Sequence, residues 1–321
     1  MAQRVLITGI TGFAGSHLAD HLLSLGHIVS GLVQPGASLD NVAHLIGRIS
    51  LLEGDLLDAG RIAEILDAER PHRVFHLAAQ SYVPSSWEDP VATFGVNVTG
   101  GIRLLQSCLP FRERLRLVVV TSAEIYGGGP PDGLLTEESP FLPRNPYAVS
   151  KLALDLVVGQ FGKAKGLPIV RLRPSNHIGP RQSPRFVISR FAKEAAEIEA
   201  GLREPLIRVG DLEIARDFTD VRDVVRAYAL VAERGKPGEG YLVCSGIPRR
   251  VGDGLDLLLG MLQVPVRVER DPSIGRAADS SHQRFSYARL EADAGWRPEI
   301  SFDQTLRDTL AYWRGKVQAG S

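Results

Sequence analysis

The feature that most constrains this chain is the spacing Gly9-x-x-Gly12-x-x-Gly15, set between an aliphatic run at Val5-Leu6-Ile7 and a helical pattern from Ser16 to Leu25. That pattern puts Leu18, Leu22 and Leu25 on one face and stops at Gly26, a residue suited to a helix C-terminus. Glycines at a strand-to-helix turn let the backbone approach a ligand closely, and the helix N-terminus beyond supplies N–H groups and a positive dipole end. Thr11, Phe13 and Ala14 complete the turn, so the segment from Gly9 to Gly15 is expected to cradle the pyrophosphate of a dinucleotide.

The rest of the first half repeats the same alternation. Strand-like runs at 28–33, 49–52, 74–77, 117–120 and 169–172 are separated by helical spacing at 61–66, 93–108 and 146–164. Strands alternating with helices imply right-handed βαβ units, hence an α/β fold of Rossmann type with a doubly wound parallel sheet. After Arg173 the alternation loosens and Pro and Arg become frequent. The expected division is a dinucleotide-binding domain over 1–172 and a smaller C-terminal α/β substrate domain over 173–321, with the chain returning to the first around 218–245. Helical patterns at 186–200, 221–232 and 302–313 and a strand at 241–244 complete the reading.

Composition narrows the function. Lys and Arg together number 37, as do Asp and Glu, so there is no general field to attract nucleic acid or an anionic membrane. Any anion site has to be built from local arginines and backbone amides. The two cysteines, Cys108 and Cys244, are isolated, which argues against a disulfide framework or zinc site and fits a reducing compartment. No apolar run reaches the roughly 18 to 20 residues of a membrane span, and the first strand starts too early for a cleaved leader. A soluble, cytoplasmic protein is expected. His17 and His21 lie one helical turn apart, but without a third ligand nearby they do not suggest a metal site.

The chemistry concentrates in a few places. Asp55-Leu56 closes the third strand, where a carboxylate and the next amide can meet an adenine. Leu77-Ala78-Ala79-Gln80 ends the fourth with two small residues where a cofactor would pass closely. Ser122 follows the fifth strand, and Tyr147 and Lys151 stand one helical turn apart on one face. In that arrangement the ammonium is expected to lower the phenol pKa and favour proton transfer, with Ser122 hydrogen-bonding the reacting oxygen.

The glycine turn, Ser122 and Tyr147-x-x-x-Lys151 together resemble the extended short-chain dehydrogenase/reductase family, over essentially the whole chain. Within it, His76-Leu-Ala-Ala-Gln80-Ser81, Asn176-His177-Ile178-Gly179-Pro180 and Arg216-Asp217-Phe218-Thr219 are similar to the GDP-6-deoxy-4-keto-D-mannose reductases and the related GDP-mannose 4,6-dehydratases. The dehydratases usually have Glu-Ser-Pro after the Asn-His pair and Trp-Gly after the Arg-Asp pair. Ile178-Gly179-Pro180 and Phe218-Thr219 here point to the reductases. The resemblance implies NAD(P)H-dependent reduction of a GDP-linked 4-keto-6-deoxyhexose, with a dehydratase or 4-epimerase as the alternative. It implies Ser122, Tyr147 and Lys151 as catalytic residues, joined by Glu124, the position from which a dehydratase removes the sugar C5 proton. It also implies Arg216, Arg276 and Asn176 on the diphosphate or sugar, Ser81 and Ser85 on the hexose, and a homodimer through the helix that carries Tyr147. The second strand runs into Val33-Gln34-Pro35-Gly36-Ala37-Ser38, with neither an acid for the adenosine ribose nor a cation for a 2′-phosphate, so NADH and NADPH both stay open.

Overall fold

In the computed structural model, which describes residues 2–128, 133–274 and 283–320, the first strand β1 (Arg4–Thr8) sends Val5 and Ile7 to one face of a sheet and Leu6 to the other. Side chains alternate in direction along a strand, so one that is apolar at every position has to be covered on both faces. The chain supplies both covers by alternating strands and helices. After β1 come α1 (Phe13–Ser24), β2 (Ile28–Val33), β3 (Ser50–Glu53), α2 (Ala59–Glu69) and β4 (Arg73–His76). The short helices α3 (Val83–Glu88) and α4 (Pro90–Phe94) lead to α5 (Gly101–Cys108), β5 (Arg116–Val120), the two-residue β6 (Leu134–Leu135), α6 (Pro146–Lys165) and β7 (Ile169–Pro174). The next elements are β8 (Asn176–Ile178), α7 (Val187–Glu199), β9 (Leu206–Val209), β10 (Ala215–Asp220), α8 (Val221–Arg234) and β11 (Gly240–Val243). Last are β12 (Pro248–Arg250), α9 (Val251–Leu259), β13 (Arg267–Arg270), β14 (Arg284–Phe285), α10 (Ala288–Ala294) and α11 (Phe302–Ala319).

Seven strands form one parallel sheet in the order β11-β7-β5-β4-β1-β2-β3. Ile7 at its centre stands beside Gly31 of β2 and Phe75 of β4. Leu18 and Leu22 of α1 and Val224 and Tyr228 of α8 cover the face of Val5, Ile7, Val118 and Leu172. Ile62 of α2, Leu104 and Leu105 of α5 and Leu154 and Val158 of α6 cover the face of Leu6, Leu117, Val119 and Ile169. The strand order reverses between β1 and β4, the switch point where a doubly wound sheet opens a crevice at its carboxyl ends.

A smaller α/β layer continues from those carboxyl ends, since β8 begins two residues after β7. It holds the three-stranded sheet β12-β10-β8 and the pair β13-β9. Its core gathers Phe191, Ile207, Phe218, Leu255 and Leu306 from α7, β9, β10, α9 and α11. From β10 the chain returns to the large sheet, with α8 against α1 and β11 paired with β7. Among the described residues no helix is long and apolar enough to cross a membrane.

The helical stretch expected over 93–108 is present as one continuous run, but it is not uniform: a π-type segment over Gly95–Gly100 joins α4 to α5. Within this segment Asn97 is fully buried. Its Oδ1 accepts from the Gln80 amide at 2.8 Å, while its Nδ2 donates to the Gln80 carbonyl at 3.0 Å and to Ser150 Oγ at 2.9 Å. A wide turn of this kind is a common device where a functional side chain has to be redirected. Here it ties the end of β4 to the start of α6.

Because both faces of the large sheet are dry, truncation at its centre should be costly. Leu117→Ala, at a position with no exposure, is expected to lose about 2–5 kcal/mol in urea denaturation. Ile28→Ala, at a position 59% exposed on the same sheet, should stay within about 0.5 kcal/mol of the parent.

Candidate active site

The carboxyl ends of β1, β3, β4, β5 and β7 open on one cleft of about 1470 Å³. One side is a cradle of backbone, made by Gly9, Thr11, Gly12, Phe13, Ala14 and Gly15. Gly9 has φ of +75°, and a Cβ there would fall 2.7 Å from the Ala78 amide nitrogen. At Gly15 a Cβ would fall 2.1 Å from the Gly9 carbonyl oxygen, a separation no side chain can occupy. The N-terminus of α1 has no side-chain cap and no acid in its first turn. Its N–H groups and dipole therefore remain available to an anion. Asp55 and Leu56, beyond the end of β3, and Leu77, Ala78, Ala79 and Gln80, beyond β4, line the same cleft. One Asp55 carboxylate oxygen accepts from the Leu57 amide at 2.8 Å. A surface that is backbone at one end and small or apolar side chains along its length fits a dinucleotide.

Ser122, Glu124, Tyr147 and Lys151 line this cleft together. Ser122 follows β5, and its Oγ accepts from the Glu124 amide at 3.1 Å and is hydrogen-bonded to the Tyr147 phenol. Tyr147 and Lys151 enter from the first turns of α6, whose N-terminus is capped by Asn145 accepting from the Ala148 amide. Lys151 is buried, and its Nζ donates to the Val120 carbonyl at 3.0 Å.

The electrostatics differ from the expectation drawn from spacing. Burial pushes the Tyr147 phenol up to about 12, with Ser122 pulling against the rise and the Glu124 charge adding to it. Burial also lowers Lys151 to about 8. The influences acting on the phenol are burial, Ser122 and Glu124 rather than the Lys151 charge, so Tyr147 stands as a protonated acid at neutral pH. Beneath it, burial and the nearby Lys151 hold His76 down to about 3, and His76 Nδ1 pairs with Thr8 Oγ1 at 2.8 Å.

On the other wall lie Ser81, Asn176 and Arg216. Arg216 is largely buried in β10, with Nη1 donating to the Ala215 carbonyl at 3.1 Å. Ser85 is not among the residues that line the cleft; it sits in α3, where its carbonyl accepts from the Asp89 amide. Arg276 lies outside the described residues. Three arginines that the sequence did not single out, Arg144, Arg185 and Arg190, also line the cleft. Arg185 sits over the Tyr82 ring at 5.7 Å, which leaves its charge solvated on one side and oriented on the other. Their only signal in the sequence is closeness to Asn145 and Phe186, too weak to separate them from surface arginines.

A family model described as GDP-mannose 4,6 dehydratase matches residues 6–309. The chain belongs to this family. Among the relatives of this GDP-mannose 4,6-dehydratase family member, a GDP-6-deoxy-D-mannose reductase of Pseudomonas aeruginosa is 38% identical over 319 residues, covering 99% of each chain. The solved structure of RMD from Pseudomonas aeruginosa complexed with NADPH matches with a TM-score of 0.85 and 35% identity, over 98% of this chain and all of that one. A Thermus thermophilus UDP-glucose 4-epimerase in complex with NAD matches with a TM-score of 0.86 and 31% identity, over 97% of this chain and 99% of the other. One of these structures holds NADPH and the other NAD, consistent with a nicotinamide cofactor in the cradle and with either form of it.

The lowered pKa of Lys151 gives this family member a pH signature. Its ammonium is present below about 8 and is lost as the pH rises through that value. Single-turnover reduction is therefore expected to slow as pH passes 8 while Tyr147 stays protonated; a rate that holds up to pH 10 would contradict the assignment.

Proposed function

We propose that the protein catalyses NAD(P)H-dependent reduction of the 4-keto group of a nucleotide-linked 4-keto-6-deoxyhexose, converting GDP-4-keto-6-deoxy-D-mannose to GDP-D-rhamnose. The observation that carries this reading is the grouping of Ser122, Tyr147 and Lys151 in the cleft that also contains the glycine cradle. The full-length similarity to a GDP-6-deoxy-D-mannose reductase supports the same reading.

The reduced nicotinamide supplies a hydride to the ketone carbon. Tyr147 delivers its proton to the carbonyl oxygen, and Ser122 donates a hydrogen bond that holds and polarises that oxygen. Lys151, one helical turn beyond Tyr147, would hold the nicotinamide ribose. The amides at the start of α1 hold the cofactor pyrophosphate, with Asp55 and Leu56 at its adenine end. Arg216 and Asn176 face the substrate diphosphate and hexose, with Arg185 and Arg190 as further counter-charges, since a guanidinium fork can hold two phosphate oxygens at once. NADH and NADPH are both compatible with Gln34 and Ala37 at the mouth of the adenosine end.

A second reading, a dehydratase or epimerase that oxidises and re-reduces one substrate, is favoured by Glu124, whose carboxylate lies close enough to raise the phenol pKa. Tyr147→Phe separates neither reading from the other but tests both; it should lower kcat by about 100-fold or more with little change in cofactor affinity. Reduced cofactor consumed with GDP-4-keto-6-deoxy-D-mannose supports the reductase, whereas a 4-keto product formed from GDP-mannose without added reductant supports the dehydratase.

The proposed assembly is a homodimer through the face built by α4 and α6. Val91 on α4 and Val149 and Leu156 on α6 are 81%, 41% and 51% exposed, an apolar surface that a second copy would cover. Sedimentation at micromolar concentration should give a dimer, and a monomer would count against it. Cys108 and Cys244 are free and buried, which supports a cytoplasmic location.

A further inference from the structure

The groups that hold the catalytic residues in place converge on one carboxylate outside the cleft. Asp155 is on α6, eight residues beyond Tyr147 and four beyond Lys151, so all three lie along one face of the helix. It has no solvent exposure. Arg173 of β7 grips it with a fork, Nε on Oδ2 at 2.9 Å and Nη2 on Oδ1 at 2.8 Å. Arg171 adds Nη1 on Oδ1 at 3.0 Å, and Thr121 donates its hydroxyl to Oδ2 at 2.9 Å. Every acceptor direction of the carboxylate is in use.

Two of these partners reach the catalytic turn from its two ends. Thr121 is the residue immediately before Ser122. Arg173 continues past Asp155 and donates from Nη1 to the Tyr126 hydroxyl, at the far end of the turn Ala123–Tyr126 that carries Glu124. The arginines also have space made for them: a Cβ at Gly240 would fall 2.9 Å from the Arg173 guanidinium carbon, and one at Gly159 would fall 3.1 Å from Arg171 Nη1. Burial acts to raise the Asp155 pKa, but the hydrogen bonds and charges of Arg173 and Arg171 more than offset it and keep the group ionised.

From this geometry we infer that Asp155 is a positioning residue, which through Thr121 and Arg173 sets the Ser122–Tyr126 turn against Tyr147 and Lys151. It never meets substrate, since neither it nor Arg173 lines the cleft. Its effect is to lock the turn that carries Ser122 to the helix that carries Tyr147. The ion pair adds to other restraints on the turn: the Thr121 amide also donates to the Leu172 carbonyl at 2.7 Å, and Tyr126 packs against Phe141 and Phe285 and donates to the Glu137 carbonyl. The inference rests on the roles proposed above for Ser122 and Tyr147.

Asp155→Asn leaves two buried guanidinium groups short of charge and can fail to fold, so the decisive variants are at Thr121. Thr121→Val keeps the shape and the ion pair and removes the hydroxyl, with its bond to Asp155 and its contact with the Leu172 carbonyl at 3.1 Å; Thr121→Ser keeps both. With the nucleotide sugar that the parent reduces, Thr121→Val is expected to lower kcat by about tenfold or more, with KM and melting temperature near those of the parent, and Thr121→Ser to restore it. Crystal structures of the two variants, which need no substrate, should show the Ser122–Tyr147 hydrogen bond kept in Thr121→Ser and opened in Thr121→Val. A parental kcat in Thr121→Val, or an unchanged Ser122–Tyr147 hydrogen bond in its structure, would overturn the inference. If the parent reduces no nucleotide sugar, the activity reading fails and the crystallographic comparison alone decides the positioning role.

Discussion

Three stretches of backbone meet at the switch point of the sheet, and their contact determines where the site can be. Gly15 at the start of α1 lies against the Gly9 carbonyl, and Gly9 in turn lies against the Ala78 amide beyond β4. Side chains at Gly9 or Gly15 would force α1 away from the sheet and β1 away from the end of β4. With glycine at both, the helix N-terminus points into the crevice at the carboxyl ends of the strands, where its amides and dipole can meet a pyrophosphate. The alternation of Val5, Leu6 and Ile7 between two covered faces keeps β1 central and fixes that geometry.

Burial then sets the chemistry of the cleft. It moves the phenol of Tyr147 up, the ammonium of Lys151 down and the imidazole of His76 far down, each toward its uncharged form. An acid kept protonated in the cleft can give up a proton as negative charge develops on a ketone oxygen. The buried Asp155 carboxylate is paired with Arg173 and Arg171, and this cluster lies outside the cleft rather than among the reacting groups. Truncating one partner would leave a charge without compensation, which is the expensive way to break such a pair.

Much of this was legible because it is local. The glycine turn, the second strand over residues 28–33 and the spacing of Tyr147 and Lys151 each depend on residues within a few positions of one another. The π-type turn was hidden: its Asn97 meets Gln80, 17 positions away, and Ser150, 53 positions away, contacts that helical spacing does not show. The strands β8 and β10 were hidden for a similar reason: each is short, and they pair Asn176 with Phe218 across a long stretch of chain. Arg144, Arg185 and Arg190 reach the cleft through tertiary folding. The spacing of Tyr147 and Lys151 was visible in the sequence, but their burial was not, and burial reversed the expected direction of the phenol shift.

The most direct measurement of whether the cleft performs a reduction is isotope transfer. The purified protein would be given GDP-4-keto-6-deoxy-D-mannose with nicotinamide cofactor deuterated at both positions of ring carbon C4, and the sugar product analysed by mass spectrometry and NMR. The predicted result is GDP-D-rhamnose with one deuterium at sugar C4 for each cofactor oxidised. Cofactor left intact, or a product with no deuterium at C4, would contradict it.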